Sequence, residues 1–411
     1  MNIQLENLEI IGLSHDGRGV AQLDGKTCFI ADAIPGDRVD ATLTHQERNF
    51  CEAKLHKILS PSPDRREPFC PHYEQCGGCQ LQHLSIEAQR HWKAQNFFTQ
   101  LSQQLNLDAC ECLPMLTAND RAYRRRARFA LEIDKKEKQP RFGFRQEHDN
   151  RLVDIDHCPI LVDALNTTLT QIRPKLLANA ARKTREFTLV AANEGVFGLE
   201  AGEPSPSYSL SGLQLFFPTN GFIQVNAELN QQMVNQALDW LDIHPTHRVL
   251  DLFCGVGNFT LPLAQRAQNT VGVEGLSELV AAAQRNAEHN GIENCEFYSA
   301  DLFAECQAMP WFRGQVYDRI LLDPGRLGAH TLSTQLGQLQ AQKIVYLSCN
   351  TATLIRDLKT LQAQGYQLKK ACFIDMFAHT THGEAMVLLE KNKKHRSAKP
   401  PQDRTKRLFR F

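Results

Sequence analysis

The residue with the strongest potential for chemistry is Cys349, which ends an apolar run of strand character and precedes a helical stretch. In an open α/β sheet, ligands bind beyond the carboxyl ends of the strands, where this thiol would lie. A helix N-terminus also favours the thiolate, which is the nucleophilic form of cysteine. The pattern therefore predicts a nucleophilic Cys349 in a cleft. A small buried apolar residue is the plain alternative, because free cysteines are often buried.

Two acids accompany neighbouring strand-like segments and are candidates to act with the thiol. Asp323 ends the apolar segment that precedes the Cys349 strand, and Glu384 comes just before the last apolar segment. Because a carboxylate can remove a proton at a reacting carbon, Glu384 is the predicted general base. His379 and His382 compete for this role, and a surface carboxylate is the plain alternative for Glu384.

A glycine turn at Gly255 and Gly257, directly after a strand-like segment, predicts a nucleotide site. Glycine permits the tight turn and lets the backbone approach a ligand. The dinucleotide fingerprint requires a third glycine where this chain has Thr260, so a methionine-bearing nucleoside fits better. Glu274, at the end of the second strand, is placed to bind both ribose hydroxyls. Asp301, after the third strand, is placed to bind the adenine amino group. Two helix N-caps are the alternative.

Three cysteines in a glycine-bearing loop, together with a distant fourth, form a candidate metal site: Cys70, Cys76, Cys79 and Cys158. Four thiolates can hold a tetrahedral zinc ion or an iron–sulfur cluster. Only one Cys-x-x-Cys pair is present, and the spacing alone does not choose between the two.

The composition is that of an ordinary globular protein: 411 residues, of which 42% are hydrophobic, predict two or three domains. The 46 Lys and Arg balance 46 Asp and Glu, but basic residues cluster at 121–128 and in the last residues from Lys391. Such patches suit a polyanion such as RNA, and a solvated face with a disordered tail is the alternative. The sequence has neither a long apolar run nor a signal peptide, which predicts a cytoplasmic protein without membrane contact or an obligate protein partner.

The elements that must position these groups divide into three parts and a tail. Residues 1–64 alternate short β-rich runs with turn dipeptides, which predicts a small barrel of the oligonucleotide-binding type. Residues 65–220 contain the four cysteines, antiparallel strands and a helix over about 85–105 that can pack on the following domain. Residues 221–391 alternate strands with helices, which predicts an α/β fold with a doubly wound parallel sheet. Residues 392–411 are predicted to be a basic, disordered tail.

Together these segments resemble the RNA (uracil-5-)-methyltransferase family over essentially the whole chain. The matching motifs are Asp251 to Phe259, Leu322 to Arg326, Ser348 to Asn350 and the segment around Glu384. The N-terminal unit is similar to the TRAM domain, and its presence beside the cysteines points to the branch that acts on ribosomal RNA. One departure is Gly325, where the family often has a proline that would stiffen the loop.

The resemblance implies a Rossmann-like methyltransferase domain that uses S-adenosyl-L-methionine to methylate C5 of a uridine in 23S ribosomal RNA. It implies Cys349 as the nucleophile that adds to C6 of the base, Glu384 as the general base and a 4Fe-4S cluster on the four cysteines. The implied pocket for the methyl donor and the target base is lined by Gln224, Phe253, Asn258, Glu274, Asp301 and Asp323.

Three alternatives remain at this stage. The same chemistry could act on another 23S uridine or on tRNA, or the chain could be a non-catalytic RNA-binding protein with a structural metal. Phe222, near Gln224, either stacks on the base or belongs to the core. A pure RNA-binding protein has no need of Cys349, Asp323 and Glu384 together, which favours an enzyme.

Overall fold

A computed structural model describes residues 3–147, 149–199 and 202–392. The predicted tail at 392–411 therefore lies, apart from its first residue, outside the described residues. The N-terminal part is a six-stranded sheet in the order β1-β5-β6-β4-β3-β2. Its strands are β1 (Gln4–Glu9), β2 (Gly12–Leu13), β3 (Gly19–Leu23), β4 (Lys26–Ile30), β5 (Arg38–Gln46) and β6 (Phe50–Ser60). Small and apolar residues that alternate along the strands, such as Ala21, Cys28 and Val39, form its buried core.

The helix α1 (Ile86–Gln104) agrees with the prediction and is followed by the short strand β7 (Glu111–Cys112). It begins after Ser85, whose side chain accepts a hydrogen bond from the Ala88 N–H at 3.3 Å and so caps the first turn. The helix buries Phe97 and Leu101 in the core of the C-terminal domain. The cysteine-bearing segment thus contributes a helix to the domain that follows it.

The central region forms a second sheet of five antiparallel strands in the order β10-β9-β8-β11-β12. Its elements are β8 (Arg126–Ile133), β9 (Pro140–Arg145), β10 (Leu152–Asp154), α2 (Asp163–Ala178), β11 (Arg185–Ala192) and β12 (Gly195–Phe197). Stacked phenylalanines 129, 142 and 144 fill the space between this sheet and α2. A hairpin of β13 (Ser207–Leu210) and β14 (Leu213–Phe216) leads into the next domain.

The C-terminal domain alternates strands and helices, as predicted. Its elements are α3 (Ala227–Leu241), β15 (Arg248–Leu252), α4 (Thr260–Ala264), β16 (Asn269–Glu274), α5 (Ser277–His289), β17 (Cys295–Ser299), β18 (Arg319–Leu322), α6 (His330–Ser333), a 3-10 turn (Leu336–Leu339), β19 (Lys343–Ser348), α7 (Thr351–Ala363), β20 (Tyr366–Ile374) and β21 (Glu384–Lys391). Within the described chain, no helix is both long enough and apolar enough to cross a membrane.

The seven strands of this domain and β7 form one sheet in the order β17-β16-β15-β18-β19-β21-β20-β7. The first five strands are parallel, whereas β21 pairs antiparallel with both β19 and β20. The carboxyl ends of the parallel strands therefore share one rim with the amino end of β21. The chain reverses at β15, so β16 and β18 lie on its two sides, which is the switch point where open α/β sheets bind ligands.

Candidate active site

The strand register brings the three predicted reactive residues to the same rim. Ser348 at the end of β19 pairs with Ala385 of β21. Because the two strands are antiparallel, Cys349, which follows Ser348, and Glu384, which precedes Ala385, are neighbours. Asp323 directly follows β18, the parallel neighbour of β19 on its other side. A thiol therefore lies between two carboxyl groups at the end of the sheet.

These residues line a cavity of about 970 Å³ that extends from the sheet rim to the central region. Ten of the twelve predicted site residues lie on its wall: Cys70, Cys76, Cys79, Cys158, Gln224, Phe253, Glu274, Asp323, Cys349 and Glu384. A volume of this size is at the upper end for a small-molecule site, and it can hold a nucleoside and a second ring system together.

The surroundings of Cys349 favour the neutral thiol, contrary to the expectation from the helix N-terminus. Burial, followed by the nearby carboxylates of Glu384 and Asp323, raises the pKa of the thiol to about 11, while Arg326 opposes them. Cys349 also lies just before the helix cap, because the side chain of Asn350 accepts hydrogen bonds from the N–H groups of Ala352 and Thr353. The first-turn donors of α7 are thus already used by Asn350 and do not face the sulfur.

The two carboxyl groups are also held in their protonated forms by burial. Burial raises the pKa of Asp323 to about 7. Glu384 is 9% exposed, and burial together with the charge of Asp323 raises its pKa well above the usual range, against the opposing effect of Arg326. At neutral pH Cys349 therefore keeps its proton, and the neutral form of Glu384 is favoured. A reaction that begins with a thiolate must remove the proton from Cys349.

The predicted nucleotide site is organised by main-chain hydrogen bonds. Glu274 accepts from the N–H of Gly255 at 3.1 Å, which joins the end of β16 to the glycine turn after β15. It also accepts from the N–H groups of Gly275 and Leu276 at 2.8 and 3.1 Å, so its carboxylate is oriented before any ligand arrives. Gly255 and Gly257 have φ values of 55° and 94°, a region that favours glycine.

Two predicted binding residues do not lie on this cavity wall. Asn258 faces inward, where its side chain accepts from the Tyr208 hydroxyl and from the Asn230 amide, both at 2.9 Å. Asp301 is exposed and accepts from the N–H of Phe303 at 2.9 Å in a turn, and within the described chain no helix begins there for it to cap. Their proposed contacts with a nucleoside stay predictions.

The four predicted metal-binding cysteines face each other across one end of the cavity. Burial raises the pKa of each thiol, to about 12 for Cys79 and about 11 for Cys158, and the charges of the other cysteines add to the effect at Cys76, Cys79 and Cys158. Within the described ranges, however, no three His, Cys, Asp or Glu side chains converge closely enough to hold one metal ion.

The basic run before β8 divides between the cavity and the core. Arg124 and Arg128 line the cavity. Arg125 does not face a ligand, because it is buried, donates to the Gln224 carbonyl at 2.9 Å and lies over the Tyr208 ring. It thereby supports the strand that carries Gln224.

Phe222 is 66% exposed at the cavity mouth, which favours the stacking role over the core alternative. Arg326 is a cation on the cavity wall, and its charge opposes the raised pKa values of Cys349 and Glu384. No role was predicted for it from the sequence. Its position three residues after Asp323, beyond a strand end, was the available signal.

The histidines that compete with Glu384 are less suited to remove a proton from a ligand. His379 is 3% exposed and is bound on both ring nitrogens, by Gln89 at 3.2 Å and Asp120 at 3.0 Å. His382 lines the cavity, but burial lowers its pKa, with Arg326 and Lys93 acting in the same direction.

Comparison with known proteins relates the whole chain to RNA methyltransferases. Residues 212–392 match the tRNA (Uracil-5-)-methyltransferase family model, and residues 4–56 match the TRAM domain. A protein of Vibrio parahaemolyticus named 23S rRNA (uracil(1939)-C(5))-methyltransferase RlmD is 39% identical over 430 residues, which cover 95% of this chain and 97% of that protein. A protein of the same name from Haemophilus parainfluenzae is 40% identical, covering 93% of this chain and 96% of its own.

Among solved structures, the tRNA (uracil-54, C5)-methyltransferase of Pyrococcus abyssi, in complex with S-adenosyl-L-homocysteine, has the same fold. The two superpose with a TM-score of 0.72 at 23% sequence identity, over 95% of this chain and 100% of the other. The chain therefore has an S-adenosylmethionine-dependent methyltransferase fold with an N-terminal TRAM domain.

The raised pKa of Cys349 predicts that the free protein alkylates slowly at this residue. Since the pKa is about 11, the rate of iodoacetamide labelling should rise about tenfold per pH unit from pH 7 to 10. Asp323→Asn removes a charge that raises this pKa, so it should label faster above pH 7. Mass spectrometry of the tryptic peptide 344–356 measures this. Labelling that is already independent of pH at pH 7 would contradict the assignment.

Proposed function

The chain belongs to the RlmD family of 23S rRNA (uracil-C5)-methyltransferases, and from that premise we propose that it methylates the 23S uridine equivalent to uracil 1939 through a covalent Cys349 adduct. The observation that carries this proposal is the pairing of β19 with β21, which makes Cys349 and Glu384 neighbours. A thiol beside a carboxyl group supplies both a nucleophile and a base to one substrate.

The first step creates a carbon nucleophile, because C5 of uracil does not attack a methyl sulfonium unaided. Cys349 gives its proton to solvent, and its sulfur adds to C6 of the base. The C5–C6 double bond opens, and its electron pair is shared between C5 and O4. Since burial raises the pKa of the resting thiol to about 11, proton loss must accompany the binding of the base. Arg326 on the same wall favours the anionic form of the sulfur.

S-adenosylmethionine supplies the methyl group when bound, and Glu274, Phe253 and Gln224 on the cavity wall are proposed to hold it beside the target base. C5 then takes the methyl carbon, and the sulfonium–methyl bond breaks. Glu384, as a carboxylate, removes the remaining C5 proton. The electron pair of that C–H bond restores the C5–C6 double bond, and the C6–sulfur bond breaks to free Cys349.

Among these reaction steps, the ionisation of Glu384 is the one that the buried site disfavours most clearly. Burial and Asp323 favour its neutral form in the free protein, and Arg326 is the charge that favours its carboxylate. A base with a raised pKa accepts a proton more readily once it is ionised, which suits removal of a proton from carbon.

The proposed partner is 23S ribosomal RNA, which the TRAM domain and the cavity wall both support. Arg124 and Arg128 offer cations for phosphate contacts, and the exposed ring of Phe222 offers a stacking surface at the mouth. A uridine must leave its stack to reach a thiol inside a cavity, so base flipping or a remodelled RNA loop is part of the proposal. We also propose a cytoplasmic location, where thiols remain reduced.

The four cysteines fit a 4Fe-4S cluster better than a single ion. A zinc ion needs ligands about 2.3 Å from one point, and no such convergence exists in the described parts of the chain. Against burial, hydrogen bonding lowers the pKa of each thiol, from the N–H of His72 at Cys70, of Gly78 at Cys76 and of Ile160 at Cys158, and from the side chain of Gln82 at Cys79. Such bonds stabilise cluster thiolates.

A glycine also keeps the loop close to its support. A Cβ at Gly77 would lie 2.9 Å from the backbone of Glu147, so only glycine fits between the cysteine loop and the end of β9. We propose that Cys70, Cys76, Cys79 and Cys158 hold the cluster and that its role is structural, because methyl transfer requires no electron.

The covalent mechanism predicts opposite behaviour for two variants of neighbouring residues. With a 23S transcript and S-adenosylmethionine, Glu384→Gln should accumulate a methylated RNA–protein adduct on a denaturing gel, because elimination lacks its base. Cys349→Ala should form none and should still bind RNA. An adduct in Cys349→Ala, or free methylated RNA released by Glu384→Gln at the normal rate, would contradict these roles.

The cluster proposal predicts about four iron and four sulfide per chain in protein purified without oxygen. Replacing any one of the four cysteines by serine should lower the iron content at least severalfold, whereas Cys295→Ser, on a strand far from the loop, should not. Iron and sulfide analysis measures this without any assay of activity. A colourless protein with one exchangeable zinc would overturn the proposal.

A further inference from the structure

The loop of residues 375–383, which joins β20 to β21 and ends at Glu384, is held from several sides. Lys93 of α1 donates to Asp375 at 2.7 Å and to the Phe377 carbonyl at 3.0 Å, and both charged groups are almost fully buried. Arg90, one turn earlier, donates to the other oxygen of Asp375 at 3.0 Å. The helix thus anchors the start of the loop through the buried pair of Lys93 and Asp375, with a further contact from the partly exposed Arg90.

The middle of this loop is joined to the cysteine loop through His379. The His379 carbonyl accepts from the N–H groups of Gln80 and Leu81 at 2.9 and 3.0 Å, directly after Cys79. The residue has φ = 65°, a left-handed conformation that a histidine adopts at a cost and that its neighbours must maintain. The turn of the TRAM domain is also close, since a Cβ at Gly17 would lie 2.9 Å from Thr381.

Gln89 of α1 completes the junction. Its side chain is fully buried, accepts from the His379 N–H at 3.1 Å and donates to the Leu81 and Leu84 carbonyls at 2.8 and 2.7 Å. The same amide lies 3.2 Å from Nδ1 of His379. Because Nε2 faces the Asp120 carboxylate at 3.0 Å, it carries the proton, and Nδ1 is an acceptor that shares the Gln89 amide hydrogens with the two leucine carbonyls. One glutamine therefore ties α1, the cysteine loop and the loop of Glu384 together.

We propose that Gln89 and His379 are positioning residues, which hold the 375–383 loop on the cysteine loop so that the Glu384 carboxyl stays in reach of C5. The proposal rests on the proposed role of Glu384 as base. Displacement of a reacting group by about 1 Å can slow its step about 100-fold. Loss of the junction should therefore slow elimination and leave the earlier attack by Cys349 largely intact.

The test is Gln89→Met, which keeps the length of the side chain and removes its hydrogen bonds. In single turnover with a 23S transcript, adduct formation should stay within about threefold of the unchanged protein, while release of methylated RNA slows about 10- to 100-fold. The methylated adduct should accumulate, and the pH at which release is half-maximal should shift. Gln95→Met, on the exposed face of the same helix, is the matched control and should behave as the unchanged protein.

A second pair keeps the test decisive if Gln89→Met does not fold. His379→Ala removes both ring contacts, whereas His379→Asn tolerates the positive φ and restores an acceptor for Gln89. Adduct should accumulate in the alanine variant, and the asparagine variant should recover most of the release rate. Hydrogen exchange of the peptide 375–384 should rise in the alanine variant only.

Three results would overturn the proposal. The first is a normal rate of release of methylated RNA in both Gln89→Met and His379→Ala. The second is an equal loss in the rates of adduct formation and of release. The third is an equal loss of release rate in His379→Asn and His379→Ala. Glu384→Gln serves as the reference in each experiment. If it fails to accumulate adduct, the proposed role of Glu384 is wrong, and the fault does not lie with the junction.

Discussion

The antiparallel pairing of β21 with β19 is the constraint on which the site depends. The register that sets Ser348 opposite Ala385 makes Cys349 and Glu384 neighbours, although they are 35 residues apart in the chain. A slip of one residue would turn the side chains of β21 to the other face of the sheet and remove Glu384 from the cavity. The strand is buried on both faces, because Val387 and Leu389 pack in one core of the domain and Met386 and Leu388 in the other.

Burial in this site has two opposing effects. It excludes water from the reacting groups, and it also raises the pKa values of Cys349, Asp323 and Glu384, which favours the neutral, less reactive forms of the proposed nucleophile and the proposed base. Arg326 opposes the effect at two of the three positions. A site of this kind reacts when its substrate changes the local charge and solvation, which guards a free thiol against unwanted chemistry in the absence of RNA.

Much of this arrangement could be predicted from the sequence, because several parallel strands of the C-terminal domain are short apolar runs that end at a reactive or polar side chain. Glu274 ends β16, Asp323 follows β18, and Cys349 follows β19. The helix predicted over about 85–105 agrees with α1 to within a residue at each end. The roles of Asn258 and Asp301 are less well supported, since strand ends predict that a side chain lies near the rim but not which way it faces. The neutral state of Cys349 depends on burial and on Glu384, which no local pattern contains.

The contacts around His379 could not be predicted from the local sequence either. Gln89 and Lys93 continue the buried stripe of Phe97 and Leu101 at intervals of four residues, and a polar residue on an apolar face was the available signal. Their partners lie almost 300 positions later in the chain, so the signal shows that a buried partner exists without identifying it.

The most direct test of the account is tritium release from RNA labelled at C5 of uridine, in the presence of S-adenosylmethionine. Unmodified 23S and tRNA transcripts would be compared, with Cys349→Ala as the control. Methylation of 23S RNA through a covalent Cys349 adduct predicts release from the 23S transcript alone and none in the variant. Release from tRNA alone would contradict the ribosomal substrate, and no release from either by folded, cluster-loaded protein would contradict the C5 chemistry itself.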